Sequence, residues 1–292
     1  MEGVMMRNAD KYAVAVRKTD GEIVVKTEEY KGIVQNKKIR SLPIIRGVFS
    51  FIDSMVLGMS TLTYSASFFM DEEEEEKDEK KESVMMGLTI ACSVVMAVAI
   101  FMILPYFLSQ LFRKFTDSTT LITLLEGAVR LVIFFGYILL ISRMKDIQRV
   151  FMYHGAEHKC INCIEHGMEL NVENVLKSSR LHKRCGTSFL FIVMIVSIIF
   201  FLFIRIESPI WRVVFRLLLI PVIAGVSFEF IRLAGKSENK LVIFLSKPGM
   251  MLQKLTTREP DASMAEVAIA SVEAVFDWRA YLKENFGWQE KV

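Results

Sequence analysis

The chain has 292 residues, 52% of them hydrophobic and 22 of them phenylalanine, with a mean hydropathy of +0.37, too apolar for an ordinary soluble domain. The formal charge is +3, but residues 71–82 hold nine acids and three lysines, so the remainder carries +9, which suits segments facing an anionic cytoplasmic leaflet. Four cysteines exclude a disulfide-stapled secreted module, and Arg7, Asp10 and Lys11 stand where a cleaved signal peptide would have its apolar core.

In chain order, Tyr12–Arg17 and Glu22–Lys26 are β-rich runs around Asp20-Gly21, which predicts a hairpin and a small cytoplasmic β module within residues 1–40. Residues 41–70 include the uncharged stretch Ser54–Met70, whose six Ser/Thr favour an interfacial or re-entrant helix over a crossing. The acidic run at 71–83 reads as a solvated, disordered linker. Residues 84–142 hold two transmembrane helices. Val84–Leu108 has no charge over 25 residues, enough to cross a hydrocarbon core about 30 Å thick. Leu121–Ser142 is interrupted by Glu126 and Arg130, one turn apart, which predicts an intramembrane ion pair. That pair either holds helices together or lines a hydrophilic groove, open toward the cytoplasm, for a lipid headgroup or a polar peptide. Residues 143–187 form a His/Cys loop. Residues 188–231 complete two more spans, Gly186–Ile204 and the weaker Val213–Phe228, with Glu229 and Arg232 polar at the end of the latter. In the tail, 232–292, Met264, Val267, Ala268, Val272, Val275 and Phe276 recur at helical spacing, predicting one amphipathic helix up to Gly287.

The fold expected is mainly α: a polytopic helical membrane protein with about four transmembrane helices, a small N-terminal β module and a C-terminal cytoplasmic amphipathic helix. Lys and Arg number ten in residues 1–50, eight in 143–184 and nine from Arg232 onward, against two in each remaining link. That distribution predicts both termini and the middle loop in the cytoplasm.

All four histidines and three of the four cysteines lie between residues 154 and 185. On a helix His154, His158 and Glu165 share one stripe, and His154-Gly-Ala-Glu157-His158 matches H-x-x-E-H, in which two histidines bind zinc and the glutamate polarises a water. A third ligand is then needed, with Glu165, Glu229 and Glu238 as candidates. A competing pattern is Cys160-x2-Cys163 with His182-x2-Cys185, the two-knuckle spacing of a closed structural zinc site. The bland alternative is surface histidines and small buried cysteines.

These residues, together with Gly3–Arg7, Arg46-Gly47, Glu126-Gly127 with Arg130, Tyr153–Lys159, Arg184–Phe189, Thr256–Pro260 and Glu266–Ile269, resemble the YqhQ-like bacterial membrane proteins over nearly the whole chain. That family is of uncharacterised function and carries the label of predicted metal-dependent enzymes. The resemblance implies a multi-pass protein of the bacterial cytoplasmic membrane. It also implies a site of His154, Glu157, His158, Glu165, His182 and Cys185, without Cys160 and Cys163, while Lys183 replaces the family's proline. The function expected is a membrane metal-dependent hydrolase, with a divalent metal, zinc by its ligands, and Glu157 as base, acting on a membrane-protein or lipid substrate. The alternative is a metal-stapled scaffold or assembly factor, and no specific nucleic-acid recognition is expected.

Overall fold

The computed structural model describes residues 2–69, 79–183, 185–204, 206, 208–236 and 239–289. Three strands, β1 (Gly3–Asn8), β2 (Lys11–Arg17) and β3 (Ile23–Glu29), form an antiparallel meander in the order β1-β2-β3. Two β runs were expected; the additional strand is the methionine-containing Gly3–Asn8, whose residue types carry little strand propensity of their own. Alternation gives the sheet two apolar faces: Val4, Met6 and Ala15 enter one core, while Tyr12, Val14 and Val16 enter another.

Twelve α-helices follow among the described residues: α1 (Lys37–Ser41), α2 (Ile45–Ser67), α3 (Glu79–Val98), α4 (Leu104–Gln110), α5 (Thr119–Ile141), α6 (Lys145–Glu165), α7 (Val172–Lys177), α8 (Gly186–Phe203), α9 (Pro209–Lys236), α10 (Lys240–Thr256), α11 (Ala262–Glu273) and α12 (Trp278–Phe286). A π-helical turn, Ala99–Ile103, joins α3 to α4. It precedes Pro105, which lacks the N–H an α ladder needs there. Of the acidic linker expected at 71–83, residues 71–78 lie outside the described residues, and the chain is already helical from Glu79.

Five helical stretches are long and apolar enough to cross a membrane: Ile45–Ser67, Val84–Lys114, Thr119–Ile141, Gly186–Phe203 and Ile210–Gly235. That is one candidate more than the four spans expected, because 45–67 forms one uninterrupted 23-residue helix that is apolar enough despite its Ser/Thr content. The expected loop at 143–187 is largely helical, as α6 and α7. The single C-terminal helix is two, α11 and α12, because Asp277 accepts from Ala280 N and starts a new helix, which Gly287 ends at φ 64°.

One core draws on three distant parts of the sequence: Val4 and Met6 from β1, Ala156, Cys160 and Cys163 from α6, and Met264, Val267, Ala268 and Leu282 from α11 and α12. This forms a head. Below it Phe134 and Ile138 of α5, Met194 of α8 and Leu252 of α10 pack together.

Glu126 and Arg130 do pair, at 3.0 Å, but as part of a triad, since both carboxylate oxygens of Glu126 also accept from Arg216 on α9. Their exposures are 2%, 5% and 5%. Arg130 donates to Ser197 Oγ at 3.0 Å, and both guanidiniums lie over the Phe201 ring. Ser197 is 12 residues along α8 from Cys185, about 18 Å at 1.5 Å per residue. The triad therefore sits away from the His/Cys segment. Glu229 takes Arg46 of α2 as its partner, where Arg232 was the neighbour in sequence.

The triad holds two cations and one anion, so its members are not equivalent. Removing Arg216 leaves a neutral pair, whereas removing Glu126 leaves two buried cations unpaired, at a cost of about 3–5 kcal/mol for a broken buried pair. Thermal unfolding in detergent should show Glu126→Leu far less stable than Arg216→Leu; equal losses would contradict this charge balance.

Candidate metal centre

Helix α6 brings His154 and His158 onto one face, with ring centroids 4.4 Å apart. Gly155 between them allows a close backbone approach: a methyl group there would lie 2.0 Å from the Arg258 carbonyl oxygen, and Arg258 N–H donates to Phe151 O. That approach sets the end of α10 against α6. His154 Nδ1 is then 2.9 Å from Thr256 O, and His158 Nδ1 is 2.7 Å from Arg180 O. A carbonyl only accepts, so both Nδ1 atoms carry a proton, and Nε2 is the atom each ring would turn to a metal once any proton on it is displaced.

Cys185 completes the group from the N-cap of α8, where its sulfur accepts from Thr187 N. Its Sγ is 3.2 Å from His154 Nε2, and ligand atoms of His154, His158 and Cys185 lie within 4.8 Å of one another. Burial raises the Cys185 pKa, but hydrogen bonds and charge from His154 and His158 outweigh it and bring the thiol down to about 5. Burial lowers the His154 pKa, but the Cys185 thiolate, Glu157 and the Thr256 carbonyl reverse this and raise it to about 9. Two imidazoles and a thiolate form a donor set of the borderline-soft kind that zinc takes.

Glu157 lines a pocket of about 230 Å³ together with His154, His158, Ile161, His182 and Cys185. Burial raises its carboxyl pKa against the opposing pull of His154 and His158. His182 stands beside the three-residue group, its ring 5.8 Å from that of His158 and its Nε2 3.2 Å from Glu165 Oε2. Glu165 is thus paired with His182 rather than grouped with the two α6 histidines.

The other candidates lie elsewhere. Cys160 and Cys163 are fully buried in the apolar core of the head, where burial raises both thiols, Cys163 to about 11. Spacing alone put them with His182 and Cys185, but on α6 they pack among core side chains away from the histidine face. Glu229 pairs with Arg46, and Glu238 lies outside the described residues.

Several supporting residues gave no signal as chemistry. Gln253 is buried and clamps His182 through both backbone groups, at 2.8 and 2.7 Å. Lys159 donates to Leu176 O and Ser178 O and pairs with Glu259, while Asn162 donates to Ser179 O and Leu181 O. These bonds hold the 176–182 connection so that Arg180 O meets His158. The only sequence trace was the family resemblance at Lys159 and at Thr256–Pro260.

A family model described as protein of unknown function (DUF1385) matches residues 42–278. The chain is 35% identical over 296 residues to the uncharacterized protein YqhQ of Bacillus subtilis (strain 168), covering 98% of this chain and 93% of that protein. No solved structure matches.

Only a thiolate alkylates readily. In chelator-treated protein, iodoacetamide near pH 6.5 should modify Cys185 and spare Cys160 and Cys163, because that pH lies above the value of about 5 for Cys185 and below the about 11 of Cys163. Zinc added first should block the reaction. Peptide mapping reads the outcome, and Cys185 labelling that begins only above about pH 8, as for an ordinary thiol, would count against the His–Cys arrangement.

Proposed function

We propose that this chain, which belongs to the DUF1385 family of proteins of unknown function, is a membrane-embedded metal-dependent hydrolase with its centre at the cytoplasmic surface. The observation that carries the reading is the ligand count. His154, His158 and Cys185 converge with their tautomers set by backbone carbonyls, and among the described residues no fourth protein ligand joins them. Structural zinc sites close with four protein ligands, whereas catalytic ones keep a position open.

A divalent ion there supplies positive charge that acidifies water and polarises an acyl or phosphoryl oxygen. The chain's own residues do the rest. Glu157, in the pocket between the two histidines and Cys185, takes a proton from the attacking water and delivers it to the leaving group. The Thr256 and Arg180 carbonyls keep the imidazoles oriented. His182, held by Glu165, lines the same pocket.

The membrane arrangement is supported by packing. The sheet, α6, α7, α11 and α12 share one core, so they lie on one side, and an even number of crossings must separate β3 from α6. Three candidate spans lie between them. Contacts with the sheet and the segment after it run along α2: Asp53 accepts from Tyr30 Oη and Ile33 N, and Leu57, Tyr64 and Phe68 pack with Tyr12, Val14 and Val16. Helix α2 therefore lies along the surface, with Ile52, Met55, Val56 and Met59 exposed toward lipid. Four crossings remain, and the Lys/Arg distribution supports a head on the cytoplasmic side.

A second reading, a metal-stapled scaffold or assembly factor, draws on the way the same three residues tie α6 to α8. Glu157 separates the two. Metal analysis with complementation of a deletion strain should find that Glu157→Gln keeps its metal but does not complement, and that His158→Ala loses the metal. If Glu157→Gln complements fully while His158→Ala fails, the scaffold replaces the hydrolase.

The topology has its own test. A cysteine introduced at Ser179 should resist a membrane-impermeant thiol reagent in intact cells and react after permeabilisation. Labelling from outside would overturn the cytoplasmic head.

A further inference from the structure

Next to the metal centre lies a second cavity, of about 390 Å³, whose lining includes Gly3, Val4 and Met5 of β1, Ser65 of α2, and His154 and Glu157 of α6. His154 and Glu157 line both cavities, so the two are adjacent. Successive strand residues face opposite sides of a sheet. A cavity touching three in a row therefore meets the strand's edge, and β1 is an edge strand.

The hydrogen-bonding state of that edge follows from the register. Arg17 N–H donates to Glu2 O at 2.8 Å, and Gly3 opposes Val16. In an antiparallel ladder bonded and non-bonded pairs alternate, so Val4 and Met6 turn their backbone groups toward β2, and Gly3 and Met5 turn theirs outward. Among the described residues, the outward N–H and C=O of Gly3 and Met5 have no hydrogen-bond partner. Ser65 Oγ adds a further unmet group in the same place, in a residue 5% exposed and without a partner for its hydroxyl.

We propose that this cavity binds an extended polypeptide segment as an added strand on β1, which delivers a peptide bond to the pocket holding Glu157. An acyl chain would cover the apolar walls but leave the outward groups of Gly3 and Met5 and the Ser65 hydroxyl unmet. A polypeptide backbone supplies a donor and an acceptor at each alternate residue and meets them. Its chemistry rests on the hydrolase reading; its binding does not. In the reaction one water is consumed: its oxygen joins the carbonyl carbon, the C–N bond breaks, and a proton passes through Glu157 to the departing amine nitrogen.

The test uses the full chain carrying Glu157→Gln in lipid nanodiscs, with reduced, carboxymethylated α-lactalbumin as the extended probe. Amide hydrogen exchange over residues 3–8 should slow by about tenfold at saturation, the loss of edge opening expected when a strand is added. Met5→Pro removes one outward N–H without touching the β1–β2 ladder, and Leu62→Trp fills the cavity from α2; each should abolish the protection. Unchanged exchange with the probe overturns the proposal, as does equal protection by phosphatidylglycerol alone, or probe binding that survives both variants. Zinc binding with ester hydrolysis but no protection of β1 sinks the polypeptide assignment and spares the hydrolase. Protection of β1 in a protein that binds no metal does the reverse.

Discussion

At Gly155 the backbone of α6 meets the segment that leaves α10, so closely that the Arg258 carbonyl occupies the space a side chain would need. The arrangement of the site depends on that approach. It brings Thr256 O onto His154, Arg258 Nη2 onto Ser142 O where α5 ends, and Glu259 onto Lys159 and Arg180. Backbone cannot give way as a flexible side chain can, so any residue larger than glycine would push the two segments apart and release the carbonyl that orients the first imidazole.

The same economy of position sets the orientation of an imidazole pair that could hold a metal. A neutral imidazole offers either nitrogen, and only the partner of the other nitrogen decides which. Here both choices are made by main-chain oxygens from opposite directions, one from the end of α10 and one from the 176–182 connection. Cys185 comes from a third direction, at the first turn of α8, where the positive end of the helix and the nearby histidines favour a thiolate. The His/Cys group thus joins the head to the apolar helices and is sensitive to how the two are docked.

Charge is handled differently within the bundle. In the head, ion pairs such as Lys159–Glu259 and Arg149–Glu2 are backed by hydrogen bonds and reach solvent on one side. In the bundle, one carboxylate serves two guanidiniums, which also lie over the Phe201 ring. Aromatic faces and Ser197 compensate a surplus cation that water cannot reach. This explains why Arg130 and Arg216, charges on apolar helices, both belong inside.

Helical periodicity, uncharged runs and the clustering of histidine with cysteine are local properties, and local properties are what the sequence determined by itself. The apolar helices, the His154–His158 stripe, the hairpin at Asp20-Gly21 and the Glu126–Arg130 pair all follow from spacing within one element. What spacing cannot decide is which remote backbone closes on that element. The separation of Cys185 from Cys160 and Cys163, the pairing of Glu165 with His182, the third strand, the arrival of Arg216 at Glu126 and the folding back of α2 onto the sheet were decided by packing between segments far apart in the chain. The physical reason is that a cysteine's spacing is the same whether it turns toward a metal or toward a core, and only the atoms opposite it determine which is favourable.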